Sequence, residues 1–190
     1  MTTIPDAMYE KVYEHFAQAA VRYFNAKGEQ APFFFAVQIN AAANEFTCLG
    51  AVPSEASAMF YRNEAARNHI KYLISAFLSD ASPLRQQLAE DNQAPDLIIQ
   101  VVEVWLAHQI YAKGDKIDLT QPPPLPSESP DRREAVAVMV HSLNRTVVGY
   151  CPIGGSPRQA SYAPCDLAGG LTGRMSMNPL PSEDATITKH

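Results

Sequence analysis

Four residues with reactive side chains lie in or beside the most apolar stretches of this chain. Glu103 and His108 belong to the run at residues 97–110, while His141 lies in a later valine-rich run and Cys151 follows shortly after it. Carboxylates, imidazoles and thiols are the groups that act in general acid–base and nucleophilic catalysis. These four residues are the candidate catalytic set, and a small hydrolase is the enzyme that they would suit best.

Glu103 is the most informative of the four because its neighbours are valines followed by Trp105. A carboxylate buried there without a partner would cost several kcal/mol, so it must reach solvent, pair with a cation or occupy a cleft that raises its pKa. Arg132 or Arg133 is the expected cationic partner if the two long strands run side by side. We favour an exposed or ion-paired glutamate over a catalytic one.

Cys151 and His141 form the candidate pair for thiol chemistry. A thiol enzyme needs a thiolate, a nearby base and a third group that orients the base, for which Asp166 or Glu103 is available. We expect His141 and Cys151 on adjacent strands of one hairpin. No local signature surrounds either residue, and a lone cysteine at a strand end is more often inert. A structural role is therefore the favoured interpretation.

The sequence contains no spacing typical of a metal or cofactor site. No two histidines or cysteines stand two to four residues apart, as paired metal ligands usually do. The glycine-rich stretches at residues 154–156 and 169–173 do not follow a strand and open a helix, as a phosphate-binding loop requires. We therefore predict no metal and no cofactor.

Charge argues against a direct nucleic-acid partner. The 190 residues carry 20 acidic and 15 basic side chains, a formal net charge of −5. The densest basic point, Arg132 and Arg133, is flanked by two carboxylates. Because nucleic-acid binders neutralise phosphates with a basic patch, this composition predicts no such partner.

The same sequence predicts a protein of the cytoplasm. The first residues lack the basic and apolar regions of a signal peptide, and the uncharged run at residues 30–44 is too short to cross a membrane. The three cysteines form an odd set with no paired framework, which is typical of a reducing compartment. We expect neither secretion nor membrane insertion.

Hydrophobic periodicity predicts two long helices and a short one. Apolar side chains recur at helical spacing over residues 5–27, and Gly28 follows as a C-terminal stop. A second helix is expected over residues 54–79, with Ser54 as its cap. Ser82 and Pro83 then open a short additional helix.

Five strands account for the β-branched and aromatic runs. They are expected at residues 33–40, 45–52, 97–110, 134–143 and 146–150. The third run is apolar on both faces as far as Glu103, which predicts a central strand covered on both sides. The short links favour antiparallel pairing.

The predicted fold is α+β: a mainly antiparallel sheet of about five strands packed against two long helices, in the order α-β-β-α-(α)-β-β-β. Residues 1–150 are expected to form one domain, interrupted by a proline-rich connector at residues 121–130. Residues 151–190 hold few hydrophobic side chains, so we expect an extended or disordered tail there.

A surplus of aromatic residues on the helices favours a binding function. Tyr9, Tyr13, Tyr61 and Tyr72 are the candidate partner-binding residues, because tyrosine combines an apolar ring with a polar tip. Our preferred hypothesis is a small non-enzymatic protein that binds another protein as an accessory subunit, regulator or inhibitor. Self-association through a helix face or a sheet edge is part of this hypothesis, and the hydrolase is its alternative.

Overall fold

The computed structural model describes residues 4–54, 64–106 and 133–167. Within these ranges, helix α1 spans Asp6–Lys27, helix α2 spans Glu64–Leu78 and the short helix α3 spans Pro83–Glu90. The strands are β1 Phe33–Asn40, β2 Glu45–Pro53, β3 Leu97–Leu106, β4 Arg133–His141, β5 Thr146–Gly154 and β6 Gln159–Ala160. All of them join one curled sheet in the order β2-β1-β3-β4-β5-β6, and every neighbouring pair is antiparallel.

Helix α1 ends where its backbone turns left-handed. Gly28 adopts a φ of 78°, and its N–H donates to the carbonyl of Phe24 at 2.7 Å. Glycine accepts this conformation without the steric cost that a Cβ would bring. The apolar side of α1 is buried along its whole length, so the helix is held mainly by packing against the sheet.

The two faces of the sheet carry separate clusters of buried side chains. We call the face that packs on α1 the inner face; its centre is formed by Ile99, Val138 and Val147. The opposite, outer face holds one cluster around Met139 and another in which Phe34 packs with residues of α2. Strand β3 contributes to both faces and lies between β1 and β4. It is thus the covered central strand that its apolar run predicts.

The α+β prediction is confirmed, with small differences in element bounds. β1 begins and ends where it was expected, and β2 extends one residue further, to Pro53. The sheet has six strands instead of about five because Gln159 and Ala160 add a short sixth strand. The first part of the second predicted helix, the connector at 121–130 and residues 107–110 of the third predicted strand lie outside the described residues.

The predicted domain boundary at residue 150 comes too early. Strand β5 continues to Gly154, and the chain then returns as β6 and passes along α1 as far as residue 167. Asn25 of α1 holds β6: its Oδ1 accepts from the Ala160 N–H at 2.7 Å, and its Nδ2 donates to the Ala160 carbonyl at 3.1 Å. Further along, the Tyr13 hydroxyl donates to the carbonyl of Ala163 at 2.7 Å. Polar contacts with α1 therefore order a segment that has little hydrophobic periodicity.

Gly149 permits a close approach between strand β5 and helix α1. A Cβ at this position would overlap the hydroxyl and ring of Tyr13, whereas a Cβ at Gly50 of β2 would meet open space. We expect Gly149→Ala to lower the free energy of unfolding by about 1–3 kcal/mol, because overpacking forces neighbours out of place.

Gly50→Ala is the matched control and should change the free energy of unfolding by less than about 0.5 kcal/mol. Urea denaturation of both variants and the wild type measures the difference. Equal stabilities for the two variants would show that Tyr13 does not pack on Gly149 as described.

Candidate functional site

Glu103 lies on the inner face and is held by an ion pair. Nη2 of Arg158 lies 2.5 Å from Glu103 Oε1 and 2.8 Å from Oε2 of Glu134, so one guanidinium bridges two carboxylates. The other carboxylate oxygen of Glu103 accepts from the backbone N–H of Gln30 at 3.3 Å. The hydrogen bond to Glu103 also raises the pKa of Arg158. Glu103 is thus an ion-paired residue that links β3 to the chain beyond β5.

The partner of Glu103 differs from the one expected from the sequence. Arg133 lies opposite Leu106 at the end of β3, and Arg132 lies outside the described residues. Arg158 reaches Glu103 because the chain turns back after β5 to form β6. In the sequence, the only indication of the turn between β5 and β6 is the glycines and prolines of that segment.

His141 lies at the end of β4 on the outer face and is 1% exposed. Its Nδ1 lies 2.9 Å from Thr146 Oγ1, and its Nε2 lies 3.3 Å from Oε1 of Gln100. Burial lowers the pKa of His141 from 6.5 to about 3. The imidazole is therefore neutral near pH 7 and forms part of a buried polar cluster, Gln100–His141–Thr146.

The pairing of β3 with β4 places Glu103 and His141 on opposite faces. His141 lies opposite Ile98, and Glu103 lies opposite Val136. Directly opposed residues of an antiparallel pair share a face, and successive residues alternate between faces. Ile98 and Glu103 are an odd number of positions apart on β3, so their side chains point in opposite directions. The carboxylate and the imidazole cannot act on one bound molecule.

Cys151 is also separated from His141. It lies opposite Val136, fully buried on the inner face, with its Sγ 3.9 Å from the hydroxyl oxygen of Tyr13. Burial raises the pKa of Tyr13, and the neighbouring Cys151 adds to that effect. The thiol is thus packed beside a neutral phenol instead of a histidine base, and no thiol–imidazole pair forms.

His108, the fourth candidate, lies outside the described residues. In the part of the chain that the structure describes, no three histidine, cysteine, aspartate or glutamate side chains cluster as metal ligands do. None of the described helices is long and apolar enough to span a membrane.

The tyrosines predicted to bind a partner divide into buried and exposed residues. Tyr9 and Tyr13 are 4% and 1% exposed, because both rings pack on the inner face of the sheet. Tyr72 of α2 is 64% exposed, and Tyr61 lies outside the described ranges. Tyr9 and Tyr13 are therefore core residues instead of exposed binding residues, which corrects that part of the prediction.

A cleft of about 970 Å³ opens at the end of the sheet where β1 turns into β2. Arg85 of α3 and Arg145 of the β4–β5 turn line it. Arg85 contacts Asp80 at 2.9 Å, and Arg145 contacts Asp6 at 2.5 Å. Both guanidinium groups are already paired with carboxylates, so neither is a free cation for an anionic ligand.

The outer edge of β2 is an exposed strand edge of the described sheet. β2 is the terminal strand of the sheet, and seven of its nine residues are exposed. Between Phe46 and Pro53 it carries no charged side chain, and Val52 is 59% exposed. An unpaired row of N–H and C=O groups is a template for another strand. This edge is the candidate interaction site, and its uncharged run is readable from the sequence.

Comparison of this chain with family models, with curated proteins and with solved structures found no match.

Burial of His141 predicts acid sensitivity of the fold. In the unfolded chain the imidazole takes up a proton below about pH 6.5, whereas in the folded protein it stays neutral down to about pH 3. The unfolded state therefore binds more protons in this window. We expect the free energy of unfolding to fall, as the pH is lowered, by up to about 1.4 kcal/mol per pH unit from this group.

Urea unfolding at a series of pH values, for the wild type and His141→Gln, measures this contribution. The variant should lose that part of the slope between pH 6.5 and about 3. His69→Gln, at an exposed position of α2, is the control and should keep the wild-type slope. Identical slopes for His141→Gln and the wild type would contradict the assignment.

Proposed function

We propose that this protein is a small, non-enzymatic protein that binds another protein, acting as an accessory subunit, a regulator or an inhibitor. The observation that carries the proposal is the exposed and uncharged edge of β2. Proteins whose sheets remain unpartnered usually protect such an edge with charged residues or cover it with another element. Among the described residues, no element covers this edge and no charged side chain lies between Phe46 and Pro53, which fits a protein that receives an extended segment of a partner.

The separation of the reactive side chains supports a binding role over the hydrolase alternative. Glu103 is neutralised by Arg158, His141 is buried on the other face, and Cys151 packs in the core. A catalytic set must converge on one bound substrate. Among the described residues these three do not converge.

Tyr72 and the cysteines add to the proposal. Tyr72 offers an exposed aromatic ring of the kind that interfaces favour. For its location we propose the cytoplasm, because three cysteines form an odd set with no paired framework, as is typical of a reducing compartment.

Affinity capture from a lysate of the native host tests the proposal, with Ala51→Lys as the edge variant. Ala51 is an exposed residue of β2, and a lysine there is a natural block to strand addition. Ala26→Lys, at an exposed position of α1, introduces the same change away from the edge. We expect the wild type and Ala26→Lys to capture the same protein, and Ala51→Lys to capture at least several-fold less.

Two results would count against the proposal. The first is a monomeric wild-type protein by sedimentation that recovers no partner from the lysate. The second is equal capture by all three proteins, which would move the binding surface away from β2.

A further inference from the structure

We propose that Cys151 and Cys165 form a redox modification site, at which a peroxide oxidises the two thiols to a disulfide that fastens the chain after β6 to β5. Both thiols are free in the structure, and both belong to the described residues. The inference goes beyond the proposed function and is independent of it, because it concerns the β5–β6 side of the sheet instead of the β2 edge.

Strand register places the two cysteines on the same face and close together. Asp166 lies opposite Val148 in an antiparallel bridge, and its N–H donates to the Val148 carbonyl at 3.0 Å. The preceding residue, Cys165, therefore lies beside Gly149, and alternation turns its side chain to the inner face. Cys151 is two residues after Gly149 on that face, so the two cysteines are diagonal neighbours across β5 and the returning chain.

Two tyrosines show that both thiols face the same small space. The Sγ atom of Cys151 lies 3.9 Å from the hydroxyl oxygen of Tyr13, whose ring centre is 6.5 Å from that of Tyr162. Burial is the largest cause of the raised pKa of both hydroxyls, and both thiols add to the effect on each. Cys165 also packs against the buried cluster that contains Cys151. The two thiols and the two phenols therefore form one cluster between α1, β5 and the returning chain.

The geometry permits a disulfide after a small movement of the returning chain. Diagonal neighbours of an antiparallel pair have Cα atoms about 7–8 Å apart, whereas a disulfide needs about 4.4–6.8 Å, so an inward shift of about 1 Å is required. Ser161 and Asp166 hold the returning chain through N–H groups that donate to β5 at 2.9 and 3.0 Å, and Pro164 between them has no N–H to donate. The stretch that carries Cys165 can therefore move toward β5 while both hydrogen bonds are kept.

The reaction balances with hydrogen peroxide as the oxidant. Cys165 is the more accessible of the two thiols, so its sulfur attacks the peroxide: an S–O bond forms, the O–O bond breaks and one water leaves. The sulfur of Cys151 then attacks the resulting sulfenic acid: the S–S bond forms, the S–O bond breaks, and hydroxide leaves with the thiol proton as a second water. The two thiols lose two electrons in total, and the peroxide gains them.

The surroundings of Cys165 keep the pair reduced until peroxide accumulates. Burial raises the pKa of Cys165, and the carboxylates of Glu10 and Asp166 add to this effect while Arg145 opposes it. Because the thiolate is the reactive form, oxidation is slow near neutral pH. In a reducing compartment the disulfide is therefore transient, as the bonds of redox-sensing proteins are.

Oxidation of Cys48→Ser with hydrogen peroxide tests the pair, because this variant keeps only Cys151 and Cys165. Cys48 lies on β2, and β1, β3 and β4 separate it from β5, so the substitution leaves the proposed site intact. After oxidation, unfolding and alkylation, the monomer should lack two hydrogen atoms, carry no alkyl group and yield one linked peptide that contains both cysteines. Dithiothreitol should restore both thiols.

Urea unfolding shows whether the disulfide fits the fold. The oxidised variant should have a higher urea midpoint than the reduced one, because the bond closes a loop in the unfolded chain. The rate of formation should be unchanged in low urea, below the unfolding transition, because the folded protein reacts. Cys165→Ser in the same Cys48→Ser background is the matched control, which should form no linked peptide and keep its midpoint after peroxide.

Three results would overturn the site. The first is a pair of thiols that both remain open to alkylation after peroxide, or that oxidise separately to sulfinic acids without a linked peptide. The second is a disulfide that lowers the urea midpoint. The third is a rate of formation that rises several-fold in low urea, since the bond would then form in the unfolded chain alone.

Discussion

The packing of helix α1 into the inner face of the curled sheet is the constraint on which the rest of the structure depends. Tyr13 approaches β5 so closely that only Gly149 fits beneath it, and its hydroxyl then reaches the carbonyl of Ala163. Asn25, three turns further along the helix, binds the backbone of β6 with both polar groups of its side chain. One helix therefore supplies the hydrophobic core and also orders the chain beyond β5. That returning chain in turn carries Arg158 to Glu103.

The two faces of this sheet determine what its polar residues can do. Alternation along β3 and β4 sends Glu103 toward α1 and His141 away from it, and the sheet itself stands between them. Each of the two groups is therefore stabilised by different neighbouring residues. Glu103 gains a guanidinium and a backbone N–H, while His141 remains neutral between Gln100 and Thr146. Both arrangements give the titratable group hydrogen-bond partners, which is a structural role. Among the described residues, Gln100 Nε2 and Gln30 Oε1 stay buried without a hydrogen-bond partner.

Local patterns predicted the elements well, because the period of the apolar residues is a local property. Helix α1 and strand β1 were expected almost at their observed bounds, and the central position of β3 followed from its two apolar faces. Relations between distant residues could not be predicted in the same way. The face of Glu103 relative to His141 depends on strand register, and β6 depends on hydrogen bonds from Asn25. Tyr13 was taken for a surface residue because the sequence does not show how widely the sheet wraps around α1.

The two edges of the sheet differ in how far other residues occupy them, and this difference is the reason that we propose β2 as the binding edge. At one edge, β6 is short, and Asn25 occupies both the N–H and the carbonyl of Ala160. At the other edge, β2 presents nine residues, seven of them exposed, with a bulge and Pro53 as its modest protection. A closed edge resists a further strand, whereas an open one accepts it. Because Asn25 of α1 already binds the backbone of β6, β2 is the edge of the described sheet to which a further strand could add.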